Sequence, residues 1–168
     1  MRIPFVVLTL AITGMLGACT PVNSEGLALS TEVPCQGVTV AVNFGILEEE
    51  PAEVCVTMDT DTAITSEVLE AAGYETQGTL TYGDQIVCRV NGLPSESEPF
   101  LVEGEAPHSE TCSDMPPGFA YWALWIKNDG AGEWAYAEEG VGTLELVPGD
   151  SIGLAFSTGG ETPLPSSD

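Results

Sequence analysis

The sequence predicts an α+β fold stapled by disulfides, and three observations carry that prediction. Period-2 alternation of apolar and polar residues occurs on both sides of a single short helical segment. Cys35, Cys55, Cys88 and Cys112 form an even set within one stretch of the chain. The N-terminus reads as an export signal, which places those cysteines in an oxidising compartment.

The signal comes first in the chain. Arg2 supplies the charged start, an apolar run from Phe5 to Leu10 continues through Met15, and small residues precede Cys19. The segment is too short to span a bilayer and no stop-transfer charges follow. Leu16-Gly17-Ala18-Cys19 resembles the lipobox of bacterial lipoproteins, which implies cleavage after residue 18 and acylation of the Cys19 thiol. The expectation is a protein held by lipid on the outer face of the cell membrane. Residues 19–34, small and polar without pattern, are expected to form a tether. Residues 35–157 then make one domain, and residues 158–168, rich in Gly, Pro and Ser, read as a loose, disordered tail.

Within the domain, Val38, Val40, Val42 and Phe44 alternate with Thr39, Ala41 and Asn43 and predict a half-buried strand. Glu48-Glu49-Glu50-Pro51 predicts a solvated turn, and Val54, Val56 and Met58 a second strand that closes a hairpin. A helix of about ten residues follows. Asp61 or Thr62 is its expected cap, Ile64, Val68, Ala71 and Ala72 its packed face, and Gly73 its terminator. So short a helix must pack on a sheet.

Strands resume at residues 74–82 and 86–90, ended by Asn91-Gly92. Leu93 to Gly118 predicts a long acidic loop, a length that requires a staple or a function. Phe119 to Lys127 is the strongest strand signal, and a Gly-rich turn leads from it to Trp134-Ala135-Tyr136. Pro148-Gly149-Asp150 precedes a last strand over residues 151–156. Four cysteines allow three pairings; Cys35–Cys55 with Cys88–Cys112 is favoured because each closes a short local loop. Each bridge would stabilise by about 3 kcal/mol.

Charge excludes whole classes of partner. The chain carries 26 acidic residues against three Lys and Arg, a formal net charge of −23. Arg2 leaves with the signal, so only Arg89 and Lys127 remain. Such a chain cannot neutralise phosphates, and nucleic acid is excluded. With no Cys-x-x-Cys pair and a single histidine, no zinc site of ordinary composition can be built, and no cofactor is expected.

Catalytic motifs fail on context. Gly149-Asp150-Ser151-Ile152-Gly153 matches a nucleophile elbow, but a strand rather than a helix follows Ser151 and His108 lies upstream. Asp59-Thr60-Asp61 lacks the later ligands of a calcium loop. His108 is expected to be exposed in the long loop. Arg89 lies in an apolar strand beside Cys88; pointing inward it needs a partner, and one of the many carboxylates is expected to serve.

The aromatic residues carry the functional reading. Phe119, Tyr121, Ala123 and Trp125 alternate onto one face of their strand and Trp122, Leu124 and Ile126 onto the other, while Trp134 and Tyr136 share a face of the next. One set must fill the core. The other either forms a platform for a planar or ring-shaped ligand or is itself buried under the helix or long loop. Tyr121, Trp122, Trp125, Trp134 and Tyr136 are the candidate ligand-binding residues.

Several segments together resemble small secreted actinobacterial proteins, similar in turn to the C-terminal domain of transcobalamin and intrinsic factor. They are Val38-Thr39-Val40, Ala71-Ala72-Gly73-Tyr74, Val87-Cys88-Arg89-Val90-Asn91-Gly92, Ala120-Tyr121-Trp122-Ala123-Leu124-Trp125, Trp134-Ala135-Tyr136 and Pro148-Gly149-Asp150-Ser151. The resemblance implies a β-grasp-like domain, a mixed sheet with one packed helix, of the soluble-ligand-binding kind. In transcobalamin the related domain forms half of a clamp around cobalamin. The helical other half has no counterpart here, so tight autonomous cobalamin binding is not expected. The expected function is a non-enzymatic, lipid-anchored module that captures a small molecule, a corrinoid among the options, for an uptake transporter. The alternative is a module that docks another envelope protein and contacts no small molecule.

Overall fold

A computed structural model describes residues 35–47, 49–130, 132–160 and 162–166. The signal peptide, Cys19 and the tether lie outside the described residues. The elements are β1 (Gly37–Asn43), β2 (Ala52–Thr57), β3 (Ala63–Ile64), α1 (Thr65–Ala71), β4 (Thr76–Thr79), β5 (Gly83–Val90), β6 (Tyr121–Lys127), β7 (Ala135–Tyr136), β8 (Glu145–Leu146) and β9 (Ser151–Ser157). The architecture is α+β: a mixed, strand-rich fold with one α-helix among the described residues and both disulfides in the favoured pairing.

The main sheet has five strands in the order β2-β1-β9-β6-β7. β1 and β9 run parallel as neighbours, and every other pairing in the sheet is antiparallel. Two small ribbons, β3-β8 and β4-β5, flank it. A parallel pair needs a crossover, and here nearly the whole domain, helix included, serves as that crossover.

The period-2 pattern sorts side chains as it predicts. Val38, Val40 and Val42 of β1, Trp122 of β6, and Ile152, Leu154 and Phe156 of β9 share one face. They pack against Val68 and Leu69 of α1 and against Val141 and Leu146. Burying each large aliphatic side chain contributes roughly 2 kcal/mol. α1 is only seven residues long, so this packing rather than intrinsic propensity holds it.

Three local expectations are corrected. Neither Asp61 nor Thr62 caps α1: the N-cap position is Ile64, without a side-chain cap bond. Ala63 and Ile64 are drawn into pairing with β8, and the free amides of Thr65 and Ser66 donate at 2.9 Å to the carbonyls of Leu144 and Val141. A neighbouring loop thus does the work of the cap. The packed face is centred on Thr65, Val68 and Leu69, with Ala71 exposed. The helix still stops at Gly73, whose φ of +88° suits the left-handed position.

The third correction concerns the tail. Residues 158–160 reverse the chain, with Gly159 and Gly160 at positive φ, and residues 162–166 return across the sheet with Pro165 buried. Asn43 Nδ2 donates to the Leu164 carbonyl at 3.1 Å, and the Thr162 and Tyr121 hydroxyls share a 2.8 Å hydrogen bond. Thr-Pro-Leu-Pro docks because each proline fixes its own φ and holds the residue before it extended. Little entropy is left to lose.

Candidate functional site

The strands place four of the five candidate aromatic residues on the outer face of the sheet, away from α1. Trp125 pairs with Tyr136 across β6 and β7, and their rings stack at 4.1 Å with 19° between planes. Trp134 follows on the same side, with the Lys127 ammonium 4.9 Å from its ring centroid. At a half-exposed site such a cation–π contact contributes about 0.5–1 kcal/mol. Tyr121 lies upstream, packed against Ala123, Trp125 and Ala155.

Trp122 is not part of this group. It is 6% exposed on the inner face, edge-on to Phe44 and Phe156, and its indole donates to the Leu93 carbonyl at 3.1 Å. Alternation forces the separation: neighbours on one strand point to opposite faces.

The four differ in accessibility. Tyr136 is 53% exposed and offers an open ring face, whereas Trp125 beneath it is 8% exposed. The indole N–H groups of Trp125 and Trp134 are buried and have no acceptor among the described residues. An unmatched buried donor costs about 1–3 kcal/mol. The Thr162 hydroxyl holds the Tyr121 phenol below its ordinary pKa, an effect that burial opposes in part.

Beside the hairpin runs a groove of about 380 Å³ whose lining includes Gln85, Val87, Tyr121, Trp122, Tyr136 and Glu138; Trp122 reaches it from the inner face, and Trp125 and Trp134 do not line it. That volume lies in the range of small-molecule sites. A larger cleft of about 510 Å³ at the end of α1 is lined by Glu70, Tyr74, Glu75 and Asp84. It shares no lining residue with the hairpin, and its carboxylates offer little to a stacking ligand.

The long loop is built on Arg89. The side chain is 4% exposed and points inward, but its partners are not carboxylates. Its Nε donates to the Pro94 carbonyl at 2.9 Å, Nη1 to Gln77 Oε1 at 2.9 Å, and Nη2 to the Glu110 carbonyl. The loop doubles back on itself here, and backbone carbonyls that no strand satisfies converge on one fixed fork of donors. The expectation of a carboxylate partner is therefore corrected. The Glu110 carboxylate instead accepts from the Cys112 amide at 2.7 Å, beside the Cys88–Cys112 bridge.

His108 is likewise corrected from exposed to half-buried. Its ring lies edge-on between Phe100 and Phe119, 5.5 Å from each, with Nε2 3.5 Å from Glu110 Oε2. Cys88, Glu110 and Cys112 bring three potential metal-ligating atoms together, but the two sulfurs are bonded to each other and offer no thiolate. Ser151 opens β9 as a buried strand residue, and the Asp150 carboxylate accepts from the Val147 and Asp129 amides. Each of these residues has a structural duty that accounts for it.

Two contributors to the outer face are missed by periodicity. Gly153 and Asn43 look ordinary within their strands; the return of residues 162–166 sets Pro165 against Gly153 and gives the Asn43 Nδ2 an acceptor, while Asn43 Oδ1 accepts from the Gly45 amide at 3.0 Å. A Pro-Leu-Pro run after a glycine pair is the one signal in the sequence that could have located them. No family model, curated protein or solved structure matches this chain.

Proposed function

We propose that this chain is a lipid-anchored extracellular binding module with a β-grasp-like domain, which captures a planar or ring-shaped small molecule on its aromatic hairpin. The anchor reading rests on Leu16-Gly17-Ala18-Cys19. No helix among the described residues is long and apolar enough to cross a membrane. The β-grasp reading is supported by two central parallel strands, each flanked by an antiparallel neighbour, with the helix in the crossover.

The observation that carries the binding reading is the Trp125–Tyr136 stack, with Trp134 and two acceptor-free indole donors around it. An exposed ring face gives stacking energy to any planar partner, and buried N–H donors reward a ligand that brings carbonyl or amide acceptors. A corrinoid has both: a flat macrocycle and a rim of amides. The groove beside the hairpin would take the edge of such a ligand and leave the rest outside. That geometry suits a module that hands its cargo to a transporter. Capture rather than turnover is supported by the structural contacts of Ser151, His108 and Arg89.

Titration of the mature protein with cobalamin and cobinamide, followed by tryptophan fluorescence, tests this. Saturable quenching that disappears in Trp134→Ala and Tyr136→Ala at unchanged melting temperature is expected. Quenching no larger than the inner-filter effect, for both ligands, overturns the corrinoid assignment.

A further inference from the structure

The C-terminal segment and the aromatic hairpin meet on the outer face of the sheet, at the residues that shape the stack. Pro165 sits over Gly153, where a Cβ would overlap its ring, and Gly153 is the cross-strand neighbour of Trp125. The Thr162 and Tyr121 hydroxyls share a 2.8 Å hydrogen bond, and Tyr121 packs against the cluster of Ala123, Trp125 and Ala155. Tyr121, Ala123 and Trp125 stand two residues apart along β6 and so share one face. The segment therefore abuts both the strand position opposite Trp125 and the tyrosine beside it.

The Tyr136 phenol feels the same hydroxyl. Thr162 draws its pKa down, but burial and the Tyr121 phenol push the other way and prevail. Hydroxyl groups from β6, β7 and the C-terminal segment thus act on one another across the outer face.

The attachments of the segment differ in kind. Asn43 Nδ2 on the Leu164 carbonyl and Pro165 on Gly153 tie it to β1 and β9, outside the hairpin. Thr162 precedes Pro163, which holds it extended. Its hydroxyl is therefore presented to Tyr121 at little further entropic cost, and the bond restrains a side chain that would otherwise sample several rotamers. Docking does not cover the stack: Tyr136 remains 53% exposed with the segment in place. A segment that restrains a site and leaves it open is not a lid.

We infer that residues 162–166 are a positioning clasp for the hairpin site: docked on β1 and β9, they fix Tyr121 through the Thr162 hydroxyl and hold the Trp125–Tyr136 stack in its binding geometry. This rests on the reading of the hairpin as the binding surface. Thr162 acts through Tyr121 rather than on the ligand. Linkage makes the effect reciprocal, so a ligand on the stack strengthens docking of the segment by the factor that docking strengthens binding.

Thr162→Val removes the hydroxyl and keeps the shape, Thr162→Ser restores it, and Pro165→Ala loosens the segment itself. The full mature chain is followed by three signals. They are the near-ultraviolet circular dichroism of the stack, identified by its loss in Tyr136→Ala, cobinamide titration, and solvent exchange of the Asn43 Nδ2 protons, which report docking through Leu164. Thr162→Val and Pro165→Ala should weaken the dichroism of the stack and lower cobinamide affinity about fivefold, since binding must then order one more side chain. The melting temperature should hold, and Thr162→Ser should recover both signals. Cobinamide should slow Asn43 exchange in the parent protein but not in Thr162→Val. Dichroism and affinity unchanged in Thr162→Val, or lost as fully in Thr162→Ser, would overturn the clasp. If the parent protein binds no corrinoid, the corrinoid assignment fails and the dichroism still decides the clasp. A band that weakens in Thr162→Val and returns in Thr162→Ser upholds it, and an unchanged band overturns it.

Discussion

The inner and outer faces of the five-stranded sheet are made from the same strands, residue by alternate residue, yet they are built to opposite ends. The inner face presents Val38, Val40, Val42, Ile152, Leu154 and Phe156 to one helix and leaves no room. The outer face presents Thr39, Ala41, Gly153 and Ala155, and what fills it comes from elsewhere in the chain. Large branched side chains on one face lock a single packing, because removing any of them leaves a cavity. Small ones on the other face leave the sheet backbone accessible to a second segment. The same division separates Trp122 from Trp125. Trp122 satisfies its indole within the core, whereas the indole donors of Trp125 and Trp134, buried on the outer side, have no acceptor among the described residues.

Mutation should break this contrast first where packing is tightest. Leu154→Ala on the inner face should cost about 3 kcal/mol, read as a large fall in melting temperature. Replacing both Cys88 and Cys112 by alanine should cost a similar amount, about 3 kcal/mol, and should release the long loop to proteases. Arg89→Met is expected to cost about 2 kcal/mol, because the Pro94 and Glu110 carbonyls would be left buried without a donor. A melting temperature that does not move in that variant would show the loop to be held by the disulfide alone.

On the outer face the expected effects on folding are smaller. Gly153→Val should change global stability by less than about 1 kcal/mol while removing hydrogen-exchange protection from residues 162–166. If instead it unfolds the protein, the outer face belongs to the core and the contrast between the faces fails.

The smallest expected effects are in titration. Burial, followed by the Glu49 charge, raises the Tyr74 phenol above its ordinary value of 10.0. A folded-state pKa above the unfolded one means that Tyr74 contributes stability in full below pH 10, lost as pH rises through the folded-state value. Tyr74→Phe should flatten the alkaline limb of the stability curve. Tyr121 moves the other way, and Thr162→Val should return its ultraviolet titration toward that of a free phenol.

Much of this was legible in the sequence wherever one local rule governed. Alternation over Val38 to Phe44 and over Tyr121 to Ile126 assigned side chains to faces correctly, because a strand has only two faces to offer; it failed at Phe119, which precedes β6 and packs against the inner core and His108 rather than with Tyr121 and Trp125. Short loop closure favoured the cysteine pairing that is found. The rule failed where a residue's partner is distant in the chain. Asp61 was a sound cap by sequence, but carbonyls near residue 141 reached the helix first. By sequence Arg89 needs a carboxylate in a chain full of them; in the fold it takes the Gln77 side chain and two carbonyls from a loop whose path no periodicity describes. The tail had the composition of disorder, yet two prolines gave it a fixed shape and Gly153 gave it a seat.

By itself, then, the sequence determined the longer strands along the chain, the α-helix between them, the alternation of faces and the strong acidity, but not the two-residue strands β3 and β8. These follow from the period of the backbone and from summed charge, which need no knowledge of neighbours. Tertiary structure alone decided which aromatic residues are buried, what satisfies Arg89 and the helix start, and what covers the small-residue face. Each of those depends on a contact between segments far apart in sequence, and hydrophobic periodicity carries no record of which segment arrives.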